Sequence, residues 1–285
     1  MKSMVSKLVI NTPLVDTNWL NKHIESNNLV ILDATLPKAT SIDKIKKEHI
    51  PNALFFDIKN EFSDLSSQFP NTLLPEKDFE AKVRKLGINN NSAIVVYDAW
   101  GLYSAARVWW LFTLCGFKNI AVLDGGLPKW KKDGYPTVSS VNKAKDLGNF
   151  TVKYNSNLVA FTADVEKAIN ESVCIVDARP TDRFSGQKAE PRPGLRSGHI
   201  PSSKNIPYTT LLKPDGTLLD KDQLIVIFKT INPQELPYIF TCGSGVTACI
   251  LALATKVAGL YTEFSIYDGS WTEWGSTDRL PVNKF

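Results

Sequence analysis

Residues 238–248 read Tyr238-Ile239-Phe240-Thr241-Cys242-Gly243-Ser244-Gly245-Val246-Thr247-Ala248. A short apolar run leads into a turn marked by two glycines, and an apolar stretch continues to Ala258. This pattern predicts a buried strand, a tight loop and a buried helix over 246–258. The same order stands earlier in the chain. Ala93-Ile94-Val95-Val96-Tyr97 reaches Asp98, and a nearly all-apolar helix is predicted over 104–115. Asp98 and Cys242 lie 144 residues apart, as do Asp33-Ala34 and Asp177-Ala178, Asp124-Gly125 and Asp268-Gly269, and Trp130 and Trp274. His49-Ile50-Pro51 and His199-Ile200-Pro201 lie 150 apart, so the second copy is longer before that point. A repeat of this length is a domain duplication, since solenoid repeats have shorter periods.

Within each copy, strand and helix signals alternate. Leu29–Leu32 and Ile120–Leu123 are further apolar runs in the first copy. Cys174–Val176 and Phe264–Tyr267 are their counterparts. An amphipathic helix is predicted over 76–86, opened by Pro75 and closed by Gly87. Short apolar strands alternating with helices imply an α/β fold, a mainly parallel sheet covered on both faces, built twice. The expected division is a first domain over 1–136, a polar linker over 137–157 and a second domain over 158–285.

Composition narrows the function classes. The net charge of +4 over 285 residues gives no electrostatic case for nucleic acid. The N-terminal residues are too broken by Asn11, Thr12 and Pro13 for a secretory segment, and no apolar run is long enough for a membrane span. Four cysteines without a Cys-x-x-Cys pair point to a reducing cytoplasm. The three histidines make no metal-ligand spacing with them, and no cofactor is implied.

Cys242 is the candidate nucleophile. It stands where a parallel strand ends, the edge at which α/β sheets gather ligands. Gly243 and Gly245 let the loop Gly243-Ser244-Gly245-Val246-Thr247 curl, and its N–H groups with the following helix N-terminus favour a thiolate. The counterpart, Asp98, has no thiol chemistry. The segment after it, Ala99–Tyr103, lacks the Gly-x-Gly curl that would nest a thiolate, so a cysteine at position 98 is not expected to make a second active site. Cys115, Cys174 and Cys249 are expected to be inert core residues. His199 recurs as His49 in the copy without the cysteine, which argues for a structural role. Trp271 and Trp274 are expected to pack.

The segment 242–248, together with Asp268-Gly269-Ser270-Trp271, Glu273-Trp274, Val108-Trp109-Trp110 and Leu123–Leu127, resembles the 3-mercaptopyruvate sulfurtransferases of the two-domain rhodanese superfamily. The resemblance covers nearly the whole chain. It implies two tandem rhodanese-like domains, the first inactive, and an enzyme that carries sulfur as a persulfide on Cys242. It implies further that Arg183 and Arg192 bind the carboxylate and ketone of 3-mercaptopyruvate, that Ser244 contacts substrate, and that the sulfur passes to a thiol such as a thioredoxin or to cyanide. Neutral Gly243 and Ser244 stand where thiosulfate-using relatives carry Arg and Lys. Thiosulfate transfer is the alternative among enzymes, and a persulfide relay module the alternative outside them. A cysteine phosphatase needs an Arg where Ala248 stands. The chain departs from the family at Lys59, where an acid is common, and at Asn71-Thr72, where a His precedes the Leu-Pro pair. Those two residues are the family's proposed partners of the loop serine.

Overall fold

The computed structural model describes residues 7–38, 47–260 and 263–285. Two five-stranded sheets form, and every strand pair is parallel. The first contains β1 (Leu14–Val15), β2 (Leu29–Asp33), β3 (Leu54–Phe55), β4 (Ala93–Tyr97) and β5 (Ile120–Leu123), in the order β1-β5-β4-β2-β3. The second contains β6 (Val159–Ala160), β7 (Cys174–Asp177), β8 (Lys204–Asn205), β9 (Tyr238–Thr241) and β10 (Phe264–Tyr267), in the order β6-β10-β9-β7-β8. The two orders are the same, as a duplication requires. All residues of β4 and β9 are buried, which is the signature of central strands covered on both faces.

Helices fill the crossovers. The first copy carries α1 (Thr17–His23), α2 (Glu76–Lys85), α3 (Ala105–Leu114) and α4 (Gly126–Lys132). The second carries α5 (Thr162–Ala168), α6 (Thr181–Phe184), α7 (Lys221–Ile231), α8 (Ala248–Ala258) and α9 (Ser270–Trp274). The apolar helices α3 and α8 pack on each other, so the inner faces of both copies share one core. Separate outer cores form around Leu20, Ile50 and Trp130, and around Val165, Ile200 and Trp274. Among the described residues, no helix is long and apolar enough to cross a membrane.

One expectation is corrected. The helix after Cys242 starts at Ala248, later than 246, because Gly245 turns the chain at φ 70°, outside the helical region. The polar stretch 137–157 is a strap seated on the first domain. Gly148 N–H donates to Arg84 O at 2.8 Å, Phe150 N–H to Ile88 O at 3.1 Å and Lys153 N–H to Cys115 O at 2.9 Å. Phe150 is fully buried. A side chain on Gly148 would start 1.9 Å from Ile88 O, so only glycine fits there. The composition of the strap reflects its exposed side chains, while its backbone finds partners. His49 pairs with Val138 and His199 with Asn283, so each copy ends by returning to its His-Ile-Pro segment.

Candidate active site

β9 delivers Cys242 to the carboxyl edge of the second sheet, and the loop 242–247 turns the chain into α8. The loop is held from outside. Its carbonyls accept from four directions: Cys242 O from Trp271 N–H at 3.0 Å, Gly243 O from Thr272 N–H at 2.9 Å, Ser244 O from the Asn71 amide at 3.3 Å, and Gly245 O from Arg107 at 3.1 Å. The N–H groups of Gly243, Ser244, Val246 and Thr247 have no acceptor among the described residues. Cys242 N–H and Gly245 N–H donate instead to Ser270 Oγ, at 3.3 and 3.1 Å. Ser270 is fully buried and takes φ 48°, a strained value for a residue with a side chain. Its counterpart is Gly126, at φ 52°.

The two glycines differ in purpose. Gly245 needs its positive φ, and a Cβ there would press on Asp268 O at 2.9 Å. Gly243 has no such φ. A methyl group built on it would lie 3.2 Å from Arg183 Nη2 and 3.9 Å from Arg192 Nη1. Gly243 is therefore the point on which both arginines converge.

The first copy shows what the loop is built to hold. Asp98 is fully buried, and its carboxylate accepts N–H groups from Trp100, Tyr103, Ser104 and Ala105, at 2.8, 2.8, 2.8 and 2.9 Å. A carboxylate is thus nested without a Gly-x-Gly curl. The start of α3 supplies the N–H groups, with Gly101 at φ 105° in the turn, and the nest is filled by the residue's own carboxylate. Trp100 and Tyr103 correspond by the 144-residue offset to Ser244 and Thr247, whose N–H groups carry no protein acceptor. Asp98→Asn is expected to lower stability by about 1.5–3 kcal/mol, because a neutral amide replaces a carboxylate at four donors. Chemical denaturation checks this; an unchanged midpoint would show that the charge does not hold the loop.

Above Cys242 lies a cavity of about 340 Å³, lined by Arg183, Arg192, Tyr103, Tyr208, Lys38 and the loop, among others. Cys242 is 2% exposed, so a donor has to enter this cavity to reach it. Arg183 is paired with Glu190, at 2.5 Å, and Glu190 also receives Arg179 at 2.8 Å. Arg179 is held further by Asp177 at 2.7 Å and lies over the Trp271 ring. Arg192 has no carboxylate partner among the described residues; its Nη2 lies 3.4 Å from Ser244 Oγ. The cluster therefore carries an uncompensated positive charge beside the loop, which suits an anionic ligand.

The predicted bystanders stay out of the cavity. His199 Nδ1 bonds Phe184 O at 2.9 Å, and its ring stacks between Phe184 and Phe285. Burial lowers its pKa, which favours the neutral ring. Trp271 and Trp274 are buried and bond to backbone carbonyls through their indole N–H groups. Burial pushes the thiols of Cys115 and Cys249 up to about 12 and raises that of Cys174. Asn71, Arg107, Tyr103 and Glu190 are among the site residues that the sequence reading did not assign to the site. Arg107 left a signal as the lone charge in an apolar helix, and Asn71 as part of the departure from the family's His. Arg107 reaches from α3 into the second copy, pairs with Asp268 at 2.7 Å, and donates to Asn71 O and Gly245 O.

The sequence profile of the rhodanese-like domain matches the chain twice, over residues 16–133 and 162–277. The chain belongs to the rhodanese family. Its relatives are two-domain sulfurtransferases. It is 37% identical to thiosulfate/3-mercaptopyruvate sulfurtransferase 2 of Arabidopsis thaliana, over 99% of this chain and 89% of that protein. It is 37% identical to 3-mercaptopyruvate sulfurtransferase of Escherichia coli strain K12, over 95% of this chain and 98% of that one. The crystal structure of SseA from Escherichia coli superposes with a TM-score of 0.81 at 34% identity, covering 91% of this chain and 99% of SseA. This rhodanese-family chain is thus a sulfurtransferase of the mercaptopyruvate/thiosulfate type. Its two sheets are the two rhodanese domains of that family.

Proposed function

We propose that the chain moves sulfur from 3-mercaptopyruvate to a thiol, such as that of a thioredoxin, or to cyanide. Cys242 thiolate attacks the donor sulfur. The new S–S bond forms as the C–S bond breaks, and the electron pair leaves on the three-carbon unit as an enolate, which solvent protonates to pyruvate. An acceptor thiolate or cyanide then takes the outer sulfur of the persulfide and restores Cys242. The free N–H groups of the loop stabilise negative charge as it develops on sulfur.

The observation that carries this reading is the placement of charge. The loop itself holds no cation, and the one arginine of the cavity without a carboxylate partner among the described residues, Arg192, stands to its side. A donor with its charge on a carboxylate, several bonds from the attacked sulfur, fits that arrangement. Thiosulfate concentrates two charges next to that sulfur. It remains the second reading because Arg183 lies against Gly243, one residue from Cys242.

Specificity constants for both donors test the proposal, and 3-mercaptopyruvate is expected to exceed thiosulfate. Arg192→Ala and Arg183→Ala should each lower its use by roughly 10- to 150-fold, the cost of about 1.5–3 kcal/mol for a charge-assisted hydrogen bond. Arg192→Ala is the cleaner variant, since loss of Arg183 also leaves Glu190 with a single partner. A longer cationic side chain at Gly243 has to displace Arg183, so Gly243→Arg with Ser244→Lys is expected to shift preference toward thiosulfate. Wild type that prefers thiosulfate, or arginine variants that match it on mercaptopyruvate, would refute the substrate assignment.

A further inference from the structure

The hydroxyl of Ser244 is surrounded by donors. Asn71 Nδ2 lies 3.0 Å from Ser244 Oγ and 3.3 Å from Ser244 O. The carbonyl only accepts, so the amide presents its nitrogen to the serine. Arg192 Nη2 lies 3.4 Å from the same Oγ, and a guanidinium only donates. A hydroxyl has two acceptor lone pairs and one proton. Both lone pairs are taken, and the proton is left for something in the cavity that Ser244 lines with Cys242, Arg183 and Arg192.

Asn71 is built to hold this arrangement. It comes from the first domain, is 7% exposed, and takes φ 62°, a left-handed value that asparagine tolerates. Its carbonyl accepts from Arg107 Nη2 at 2.7 Å, and the Asp268 carboxylate that pairs with Arg107 also accepts Leu73 N–H at 2.9 Å. The backbone is therefore pinned on both sides of the amide.

We infer that Asn71 is a positioning residue that fixes Ser244 as a hydrogen-bond donor to the leaving group's oxygen. The inference rests on the mercaptopyruvate reading. When Cys242 takes the donor sulfur and the C–S bond breaks, the electron pair delocalises onto the ketone oxygen. Ser244 donates a hydrogen bond to that oxygen and keeps its proton; the enolate carbon is protonated by solvent. The amide carries no titrating proton, so the serine holds one polarity throughout the cycle.

Asn71→Asp tests this, because it keeps the shape and reverses the polarity: the serine proton then turns to the new carboxylate. Ser244→Ala removes the donor outright. Persulfide formation on Cys242 is followed by single-turnover kinetics with 3-mercaptopyruvate and with inorganic polysulfide, whose leaving group has no oxygen. For both variants the rate constant with mercaptopyruvate is expected to fall roughly 100- to 1,000-fold further than that with polysulfide, as for loss of one oxyanion donor, with the half-saturating concentration little changed. The double variant should be no slower than the slower single one. Equal losses with both donors make the contact merely structural and overturn the inference, as do variants that match wild type on mercaptopyruvate. Wild type that loads from polysulfide but not from mercaptopyruvate removes the substrate reading, and this inference with it.

Discussion

Cys242→Ser is expected to abolish sulfur transfer and leave the protein folded. Serine has nearly the shape of cysteine, and the loop around position 242 is held by its backbone through Trp271, Thr272, Ser270, Asn71 and Arg107, not by the thiol. The oxygen nucleophile cannot form a persulfide. The other thiols do not compensate: Cys115, Cys174 and Cys249 are buried, with their pKa values raised by that burial. Intact mass after donor treatment should show one added sulfur on wild type and none on the variant. Cys249→Ser should retain the added sulfur, since a serine hydroxyl can replace the thiol that donates to Gly245 O. A Cys242→Ser protein with substantial turnover would end the assignment of the nucleophile.

Arg107→Ala is expected to have the largest effect on stability, about 3–5 kcal/mol, because removing one partner of a buried ion pair strands the other. Both side chains are almost wholly excluded from solvent, at 1% and 3% exposure. The same change releases Gly245 O and Asn71 O, so the active loop loses an anchor and Ser244 loses its support. Activity should fall with stability, since a displacement of about 1 Å at a reacting group can cost roughly 100-fold in rate. Pairing Arg107→Met with Asp268→Asn removes the stranded charge and should recover part of the stability without recovering the rate. Chemical denaturation beside single-turnover kinetics separates the two. An Arg107→Ala protein as stable as wild type would show that the pair does not hold the two copies together.

Asp98 and Asn71 mark how far the sequence could be read. Position 98 was legible as the counterpart of Cys242, because the 144-residue offset is a matter of order along one chain. The nest around its carboxylate was not, because it depends on where the first turn of α3 directs its N–H groups, and no Gly-x-Gly marks that geometry. Asn71 was marked only as part of a departure from the family, where a His is expected, and nothing local showed that it reaches Ser244. It lies in an irregular stretch of the other domain, 173 residues from Ser244, and only the packing of the two copies brings them within bonding distance.

The sequence by itself determined the duplication, the parallel α/β order of each copy, and the cysteine at a strand end before a glycine-marked loop. Those features are local: apolar periodicity, turn residues and repeat spacing act over a few residues or recur at a constant offset. The tertiary structure decided which charges are already spent and which remain. Glu190 draws in both Arg179 and Arg183, Asp177 holds Arg179, Asp268 takes Arg107, and Arg192 is left facing the loop without a carboxylate among the described residues. Composition counts charges without pairing them. Pairing needs the few ångströms of distance over which a charge is felt inside a protein, and that distance is set by the packing of one domain on the other.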